Sequence, residues 1–404
     1  MFINRDEAYY LAKEFGTPLY VYSEDILRQR CRDLFNAFGG RLLPSFSIKA
    51  NSNLTLLKIV REEGITADAM SPGEIFVLEH AGYSNKEIFF VSNNVSPDEM
   101  KFAADKGILT SVDSISQLET FGRVNRGGHV ALRFNPGVGA GHCDKVITGG
   151  HKTKFGVDTI FLPQVREILK KYDLTLVGIN QHIGSLFFET KPYVDGVINL
   201  LEIAKAFPGL EFVDFGGGFG VPYRDTEPRF DLNKLADEIF PLFDRFISEY
   251  DNKDVKFKCE PGRFLSAECG YLIGSVHATK DNYGHKYVGT DVGFSVLMRP
   301  MLYDAYHKVN LIKKNGTERR EEDAPLATLV GNICESGDIF ARNRHIGDAE
   351  VGDLVVVENA GAYGYSMASN YNCRMRPAEV LKTSAANFKL IRKADRPESL
   401  IENF

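Results

Sequence analysis

Short runs of β-branched and aromatic residues alternate along the chain with longer stretches whose apolar positions recur every three to four residues. The strand-like runs are Pro44–Ala50, Ile65–Met70, Glu87–Ser92, Leu109–Asp113, His129–Asn135, Leu174–His182, Glu211–Gly216 and Val255–Glu260. Helical spacing fills Leu54–Glu63, Pro72–Ala81, Ser96–Lys106, Ile115–Phe121, Pro163–Lys171, Tyr193–Ala206 and Leu232–Tyr250. Two of these open on a capping signature: Ser71 then Pro72 with Glu74, and Ser96 then Pro97 with Glu99. Eight strands alternating with helices predict an α/β fold with a parallel sheet, and eight is the number that closes a TIM-like (β/α)₈ barrel. An open doubly wound sheet has the same periodicity. Lys49, Asp68, Ser92, Asp113, Arg133, His182, Gly216–Gly218 and Glu260 nevertheless all fall at or near strand C-termini. Reactive groups converging from many strand ends favour a barrel, whereas an open sheet gathers them at one crevice. The barrel is expected over residues 25–265.

Beyond residue 265 the grammar changes. Runs such as CGYLIGSVHATK, KYVGTDVG, DAPLATLVG and GDLVVVENAG read as strands joined by turns, without helices between them. A C-terminal antiparallel β domain over 266–404 is expected, joined by residues 1–24 through the strand-like PLYVYS at 18–23.

Composition narrows the partners. The 404 residues carry 48 Lys and Arg against 54 Asp and Glu, a net charge of -6, so nothing draws the protein to nucleic acid. No apolar run approaches the roughly 18 residues of a membrane span. MFINRDEAYYLAKEFG lacks the apolar centre of a secretory signal, so a cytoplasmic location is expected. Cys31, Cys143, Cys259, Cys269, Cys334 and Cys373 are scattered with no C-x-x-C pair, so no metal site is expected. Each reads at first as a small buried hydrophobe.

Three features carry chemistry. Lys49 sits among uncharged residues at a strand end; it is either a snorkelling side chain or a desolvated amine suited to Schiff-base formation. FVDFGGGFGVPY, residues 212–223, is either a tight glycine turn or a cradle of backbone N–H groups for a phosphate. It is no dinucleotide fingerprint, because Pro222 interrupts the helix that motif needs. KCEPGR, residues 258–263, places Glu260 at a strand end, as half of an ion pair or as the partner of a basic ring nitrogen. Lysine, phosphate cradle and carboxylate together point to pyridoxal 5'-phosphate.

With these residues on view, the chain resembles the fold-type III pyridoxal-phosphate decarboxylases over nearly its whole length. The resemblance is carried by SIKANSN (47–53), TGGHKTKFGV (148–157), QHIGS (181–185), DFGGGFGVPY (214–223) and EPGR (260–263). RPMLYDAYH (299–307), CESGD (334–338) and GAYGYSMASNYN (361–372) continue it in the second domain. It implies that Lys49 holds the cofactor covalently, with Asp68 nearby and His182 stacked on the ring. It further implies that Glu260 pairs with the ring nitrogen, and that Ser185, Gly216, Gly217, Gly218, Gly262, Arg263 and Tyr363 bind the phosphate side. Arg263, Arg299, Tyr303, Glu335, Tyr363 and Tyr371 would contact substrate, and Cys334 would donate a proton once CO₂ has left. The family's pattern implies a homodimer in which Cys334 and Glu335 serve the neighbouring subunit's site. Two arginines suit a substrate with a distal carboxylate, meso-2,6-diaminopimelate, giving L-lysine in the last step of lysine biosynthesis. Ornithine, arginine or carboxynorspermidine is the alternative. The chain departs from the family's usual residues at Pro72, Val95, Leu186 and Asn332, none of them a catalytic group.

Overall fold

The computed structural model describes residues 1–141, 147–150, 152–317 and 321–404. Cys143 and His151 of the sequence reading lie outside the described residues. The chain packs as two units: 28–221 with 228–265, and 1–27 with 222–227 and 266–404. Strand β1 (Leu19–Ser23) belongs to the second unit and precedes the strands of the first.

The first unit is a closed barrel of eight parallel strands: β2 (Leu43–Ser47), β3 (Thr66–Ala69), β4 (Ile88–Val91), β5 (Leu109–Val112), β6 (His129–Arg133), β7 (Thr175–Asn180), β8 (Phe212–Asp214) and β9 (Lys256–Cys259). Closure is made where β2 meets β9, with Leu43 opposite Lys258 and Pro44 opposite Cys259. The strands are buried on both faces, which is why they read as apolar runs with little alternation; all four residues of β4 are buried. Phe89, Val91, Ala131, Val177 and Phe212 form a cluster contributed by four strands, with the Phe89 and Phe212 rings edge to face at 5.5 Å. The expected caps are made: the Ser71 and Ser96 side chains accept from the backbone of Glu74 and Glu99.

The strand expected over Pro44–Ala50 stops at Ser47, and Ile48–Ala50 forms one 3₁₀ turn. The EPGR segment explains the bend. A Cβ on Gly262 would stand 3.0 Å from the Cβ of Ser47 and 3.1 Å from that of Ala50, so the turn after β9 nests against the turn after β2. Lys49 is therefore carried on a turn above the barrel, not within its wall.

The second unit is a mixed sheet in the order β14-β13-β11-β10-β1-β16-β17, using β10 (Gly270–Asn282), β11 (His285–Thr290), β12 (Val309–Ile312), β13 (Leu326–Val330), β14 (Ile339–His345), β15 (Leu354–Val357), β16 (Ala378–Lys382) and β17 (Phe388–Arg392). β15 pairs with both β10 and β12. A wholly antiparallel sheet was expected, but β1 runs parallel to β16 and β11 parallel to β13. Strand direction depends on how the connections return, which the local residue pattern does not carry. Helix α1 (Arg5–Phe15) lays Ala8 and Leu11 on a cluster with Leu19, Val21, Ile273, Val356 and Val380. Pro222–Glu227, expected within the barrel, packs in this unit; Asn359 Nδ2 donates to Pro222 O at 2.8 Å and Lys308 Nζ meets Asp225 at 2.9 Å. No helix among the described residues is long and apolar enough to cross a membrane.

Candidate active site

The barrel's C-terminal mouth collects Lys49, Asp68, His182, Ser185, Gly216–Gly218, Glu260, Gly262 and Arg263. They stand on, or just past, the ends of five strands: β2, β3, β7, β8 and β9. Asp68, fully buried on β3, accepts from Ser47 Oγ at 3.0 Å through Oδ2, while its Oδ1 has no hydrogen-bond partner. Burial pushes the Asp68 carboxyl up, and the Lys49 charge and the Ser47 hydroxyl pull it back. Glu260 is also buried, with Oε1 unpartnered. Its carboxyl is raised well above the usual range by burial and then by the carboxylates of Asp214 and Asp68; Lys49 and Arg133 oppose the shift.

The glycine turn is shaped by neighbouring backbone. A Cβ on Gly217 would lie 2.0 Å from Glu260 O, and one on Gly218 2.3 Å from Gly184 O, so side chains are excluded between the ends of β7 and β9. Gly216 and Gly218 also hold φ of +71° and +109°. Gly216 N–H donates to Asp214 Oδ1 at 2.9 Å, and Gly217 N–H donates to His182 Nδ1 at 3.2 Å. Two of the three amides expected to face a phosphate are thus engaged by barrel side chains. The second bond makes Nδ1 an acceptor and puts the His182 ring proton on Nε2. Burial, with Lys49 and Arg133 nearby, holds the His182 pKa far below its ordinary value, so the ring is neutral. Arg263 points Nε and Nη2 at Ser185 Oγ, 3.3 and 3.2 Å away.

Sequence reasoning gave no role to Asp214 or Arg133. Asp214 is fully buried and unpartnered at Oδ2, its carboxyl pushed up to about 7, mainly by burial. Arg133 is 6% exposed, lies 4.5 Å over the Phe155 ring, and has an unpartnered Nη2. Its strand-end position was the available signal. An aspartate before three glycines looked like turn chemistry alone.

The remaining site residues lie in the β unit. Arg299, 1% exposed, meets His307 Nε2 at 2.8 Å through Nη1 and covers the Tyr223 ring at 4.7 Å. His307 Nδ1 is 2.9 Å from Glu358 O, a carbonyl that can only accept, which leaves Nε2 as the acceptor for Arg299. Tyr303 closes the one-turn helix Arg299–Tyr303, and Tyr363 holds a left-handed φ of +56°. Cys334, Glu335 and Tyr371 are brought together on an exposed edge. Tyr371 O–H donates to Glu335 Oε1 at 2.6 Å, and Cys334 N–H donates to Asn372 Oδ1 at 2.9 Å. Cys31, Cys259 and Cys269 are buried as expected, but Cys373 is exposed, on a turn where Asn372 and Cys373 both have positive φ.

A family model for the pyridoxal-dependent decarboxylase, pyridoxal binding domain, matches residues 24–267. Across the whole chain, the diaminopimelate decarboxylase of Methanothermobacter thermautotrophicus is 40% identical, covering 94% of this chain and 90% of that protein. The chain belongs to the diaminopimelate decarboxylase family. The Escherichia coli K12 member is 34% identical over 97% of this chain and 94% of its own length. The solved structure of the Helicobacter pylori diaminopimelate decarboxylase complexed with L-lysine superposes with a TM-score of 0.87 at 30% identity, covering 98% of each chain. The family is pyridoxal-dependent, and the barrel mouth fits that group on its own chemistry. Unpartnered oxygens on Glu260 and Asp68 are acceptors awaiting donors, such as a protonated ring nitrogen. A neutral imidazole and a glycine turn closed to side chains stand beside them.

Proposed function

We propose that this protein decarboxylates meso-2,6-diaminopimelate to L-lysine and CO₂, the last step of lysine biosynthesis, with pyridoxal 5'-phosphate as cofactor. Full-length similarity to diaminopimelate decarboxylases, one of them solved with L-lysine, carries this reading. When bound, the cofactor supplies an electron sink for the pair left behind as CO₂ departs.

The protein's own side chains supply the rest. Lys49 would hold the cofactor through its amine, and Glu260 would serve as the partner of its ring nitrogen. A proton retained on that nitrogen would let the buried Glu260 carboxylate ionise against a fixed positive partner. His182, neutral and fixed by Gly217, would offer a ring for the cofactor to stack on without adding charge. Ser185, the Gly216–Gly218 turn, Gly262, Arg263 and Tyr363 would line the phosphate side, where the Gly216 and Gly217 amides already donate to Asp214 and His182, and Asp68 balances Lys49. Arg263, Arg299, Tyr303, Glu335, Tyr363 and Tyr371 hold the substrate's distal amino-acid head and turn the carboxylate that leaves. Orientation of the breaking bond is itself a large part of the rate. Cys334 Sγ delivers the proton that replaces CO₂.

The exposed thiol of Cys334 and carboxylate of Glu335 support a homodimer in which each chain completes its partner's barrel. The working division is a cofactor-binding barrel over 25–265, with 1–24 and 266–404 supplying substrate contacts and the interface. The location we favour is the cytoplasm.

The test is CO₂ release by the purified enzyme with added pyridoxal phosphate, across meso-diaminopimelate, ornithine, arginine and carboxynorspermidine. The reading expects diaminopimelate to be turned over far faster than the others; equal or better turnover of ornithine would contradict it.

A further inference from the structure

Cys334 and Glu335 ride on the loop between β13 and β14, and every residue from Cys334 to Gly337 is exposed. Apolar burial cannot hold that stretch in place. Its anchor is Asp338, only 4% exposed, whose two carboxylate oxygens each accept a backbone N–H. Phe294 N–H donates to Oδ1 and Ile333 N–H to Oδ2, both at 2.7 Å. Hydrogen bonds to an ionised acceptor are roughly twice as strong as neutral ones. The backbone of Asp338 closes the same loop, with its O accepting from Gly331 N–H at 3.1 Å and its N–H donating to Glu335 O at 3.0 Å. Space for the carboxylate is reserved: a Cβ on Gly331 would stand 2.4 Å from Asp338 Oδ2 and one on Gly293 3.2 Å from it.

A second route runs from the same carboxylate to the same side chains. The Phe294 ring, on the residue whose amide Asp338 holds, stacks on Tyr371 with centroids 5.5 Å apart, and Tyr371 O–H donates to Glu335. Arg374 Nη2 donates to Asn332 O at 3.2 Å and Asn372 receives the Cys334 amide, so the Tyr371–Arg374 segment is laced to the loop along its length. Asp338 thus sets Glu335 from its backbone side and from its carboxylate side.

We infer that Asp338 is a positioning residue: its buried carboxylate fixes the loop that presents Cys334 and Glu335, and so governs the chemistry of both without touching substrate. This rests on the reading that those two side chains act in the decarboxylation. Asp338→Asn keeps the shape but turns an N–H₂ toward a backbone N–H, so one anchor becomes a donor–donor conflict. The holoenzyme variant is expected to keep its bound-cofactor absorbance while kcat falls on the order of tenfold or more. Alkylation of Cys334 by iodoacetamide, followed by mass spectrometry of the Cys334 peptide, is expected to speed up by about fivefold or more as the loop loosens. Gly331→Ala keeps the charge but sets a methyl against the same carboxylate and 2.3 Å from the Gly293 Cα, and is expected to move the thiol rate in the same direction, so the inference does not rest on the Asp338 variant alone. Asp353→Asn removes another buried carboxylate of the same unit, one held not by the loop's amides but by Lys313 and the backbone amides of Lys314 and Glu350. It is expected to lower Tm and leave the Cys334 rate unchanged. A Cys334 alkylation rate within about twofold of wild type in both loop variants would overturn the inference. The thiol readout needs no substrate, so an error in the assigned substrate would appear in the CO₂ panel and not here.

Discussion

The barrel mouth leaves buried carboxylate oxygens without partners, whereas the β unit supplies partners to its own. In the barrel, Asp68, Asp214 and Glu260 are all buried, each keeps an unpartnered oxygen, and all three carboxyls are pushed up. In the β unit, Asp395 is held by Arg376 Nε at 2.7 Å and by Arg392 Nη2, and despite its burial these partners bring it down to about 2. Asp353 likewise meets Lys313 Nζ at 2.9 Å. A buried polar atom without a partner costs about 1–3 kcal/mol, and more when charged. A fold that leaves buried carboxylate oxygens without a partner at the barrel end, and none among the described residues of the β unit, suits that end to a ligand with complementary donors. The β unit spends its polar groups on holding loops still, and it brings Cys334, Glu335 and Tyr371 together on an exposed edge.

The sharpest way to break this contrast is to disable one region and leave the other intact. Lys49→Ala should remove the bound-cofactor absorbance and essentially all turnover, leaving the β unit's fold unaffected by circular dichroism; retained turnover would refute the role of Lys49. Cys334→Ala should leave the absorbance in place and slow turnover by about 10²–10⁴-fold, the usual worth of a positioned proton donor. Because Cys334 is exposed, stability should stay within about 0.5 kcal/mol. An unchanged turnover rate would reassign the proton donor.

The smallest effect is one of pH. Asp214, pushed up to about 7, keeps its proton in the folded chain where the unfolded chain, near its ordinary 3.8, has lost it. Between those values unfolding releases that proton, so this group makes stability fall as pH rises. Asp214→Asn preserves an acceptor for Gly216 N–H and should flatten that fall by at most about 1.4 kcal/mol per pH unit, read from urea unfolding across the window. Asp395 has the opposite sign: its lowered carboxyl stabilises at neutral pH, and that contribution is lost as pH falls from about 4 through about 2. Identical slopes for wild type and Asp214→Asn would remove the contrast.

Much of the barrel was legible because its strands are buried on both faces and its helices announce their caps. Lys49, His182 and Glu260 were legible from their strand-end positions. The turn at Ile48–Ala50 was not, since it results from packing against Gly262, more than two hundred residues away in sequence. Nor was the work of Asp214, which reads as part of a glycine turn until its hydrogen bond and unpartnered oxygen are seen together. The parallel pairing of β1 with β16 depends on chain return, not on residue pattern. Asp338 stands within CESGD, but its carboxylate bonds reach Ile333 and Phe294, both outside that motif and the second 44 residues away. Cys373 looked like packing and is exposed.

The proposed homodimer, in which Cys334 of one chain serves the barrel of the other, is tested most directly by co-expression of Lys49→Ala with Cys334→Ala. Each variant alone is expected to be nearly inactive. If Cys334 serves the partner's barrel, half of the randomly paired dimers carry one intact site, and activity returns to about one quarter of wild type. If Lys49 and Cys334 act within a single chain, every site keeps one defect, and the mixture stays as inactive as its parents.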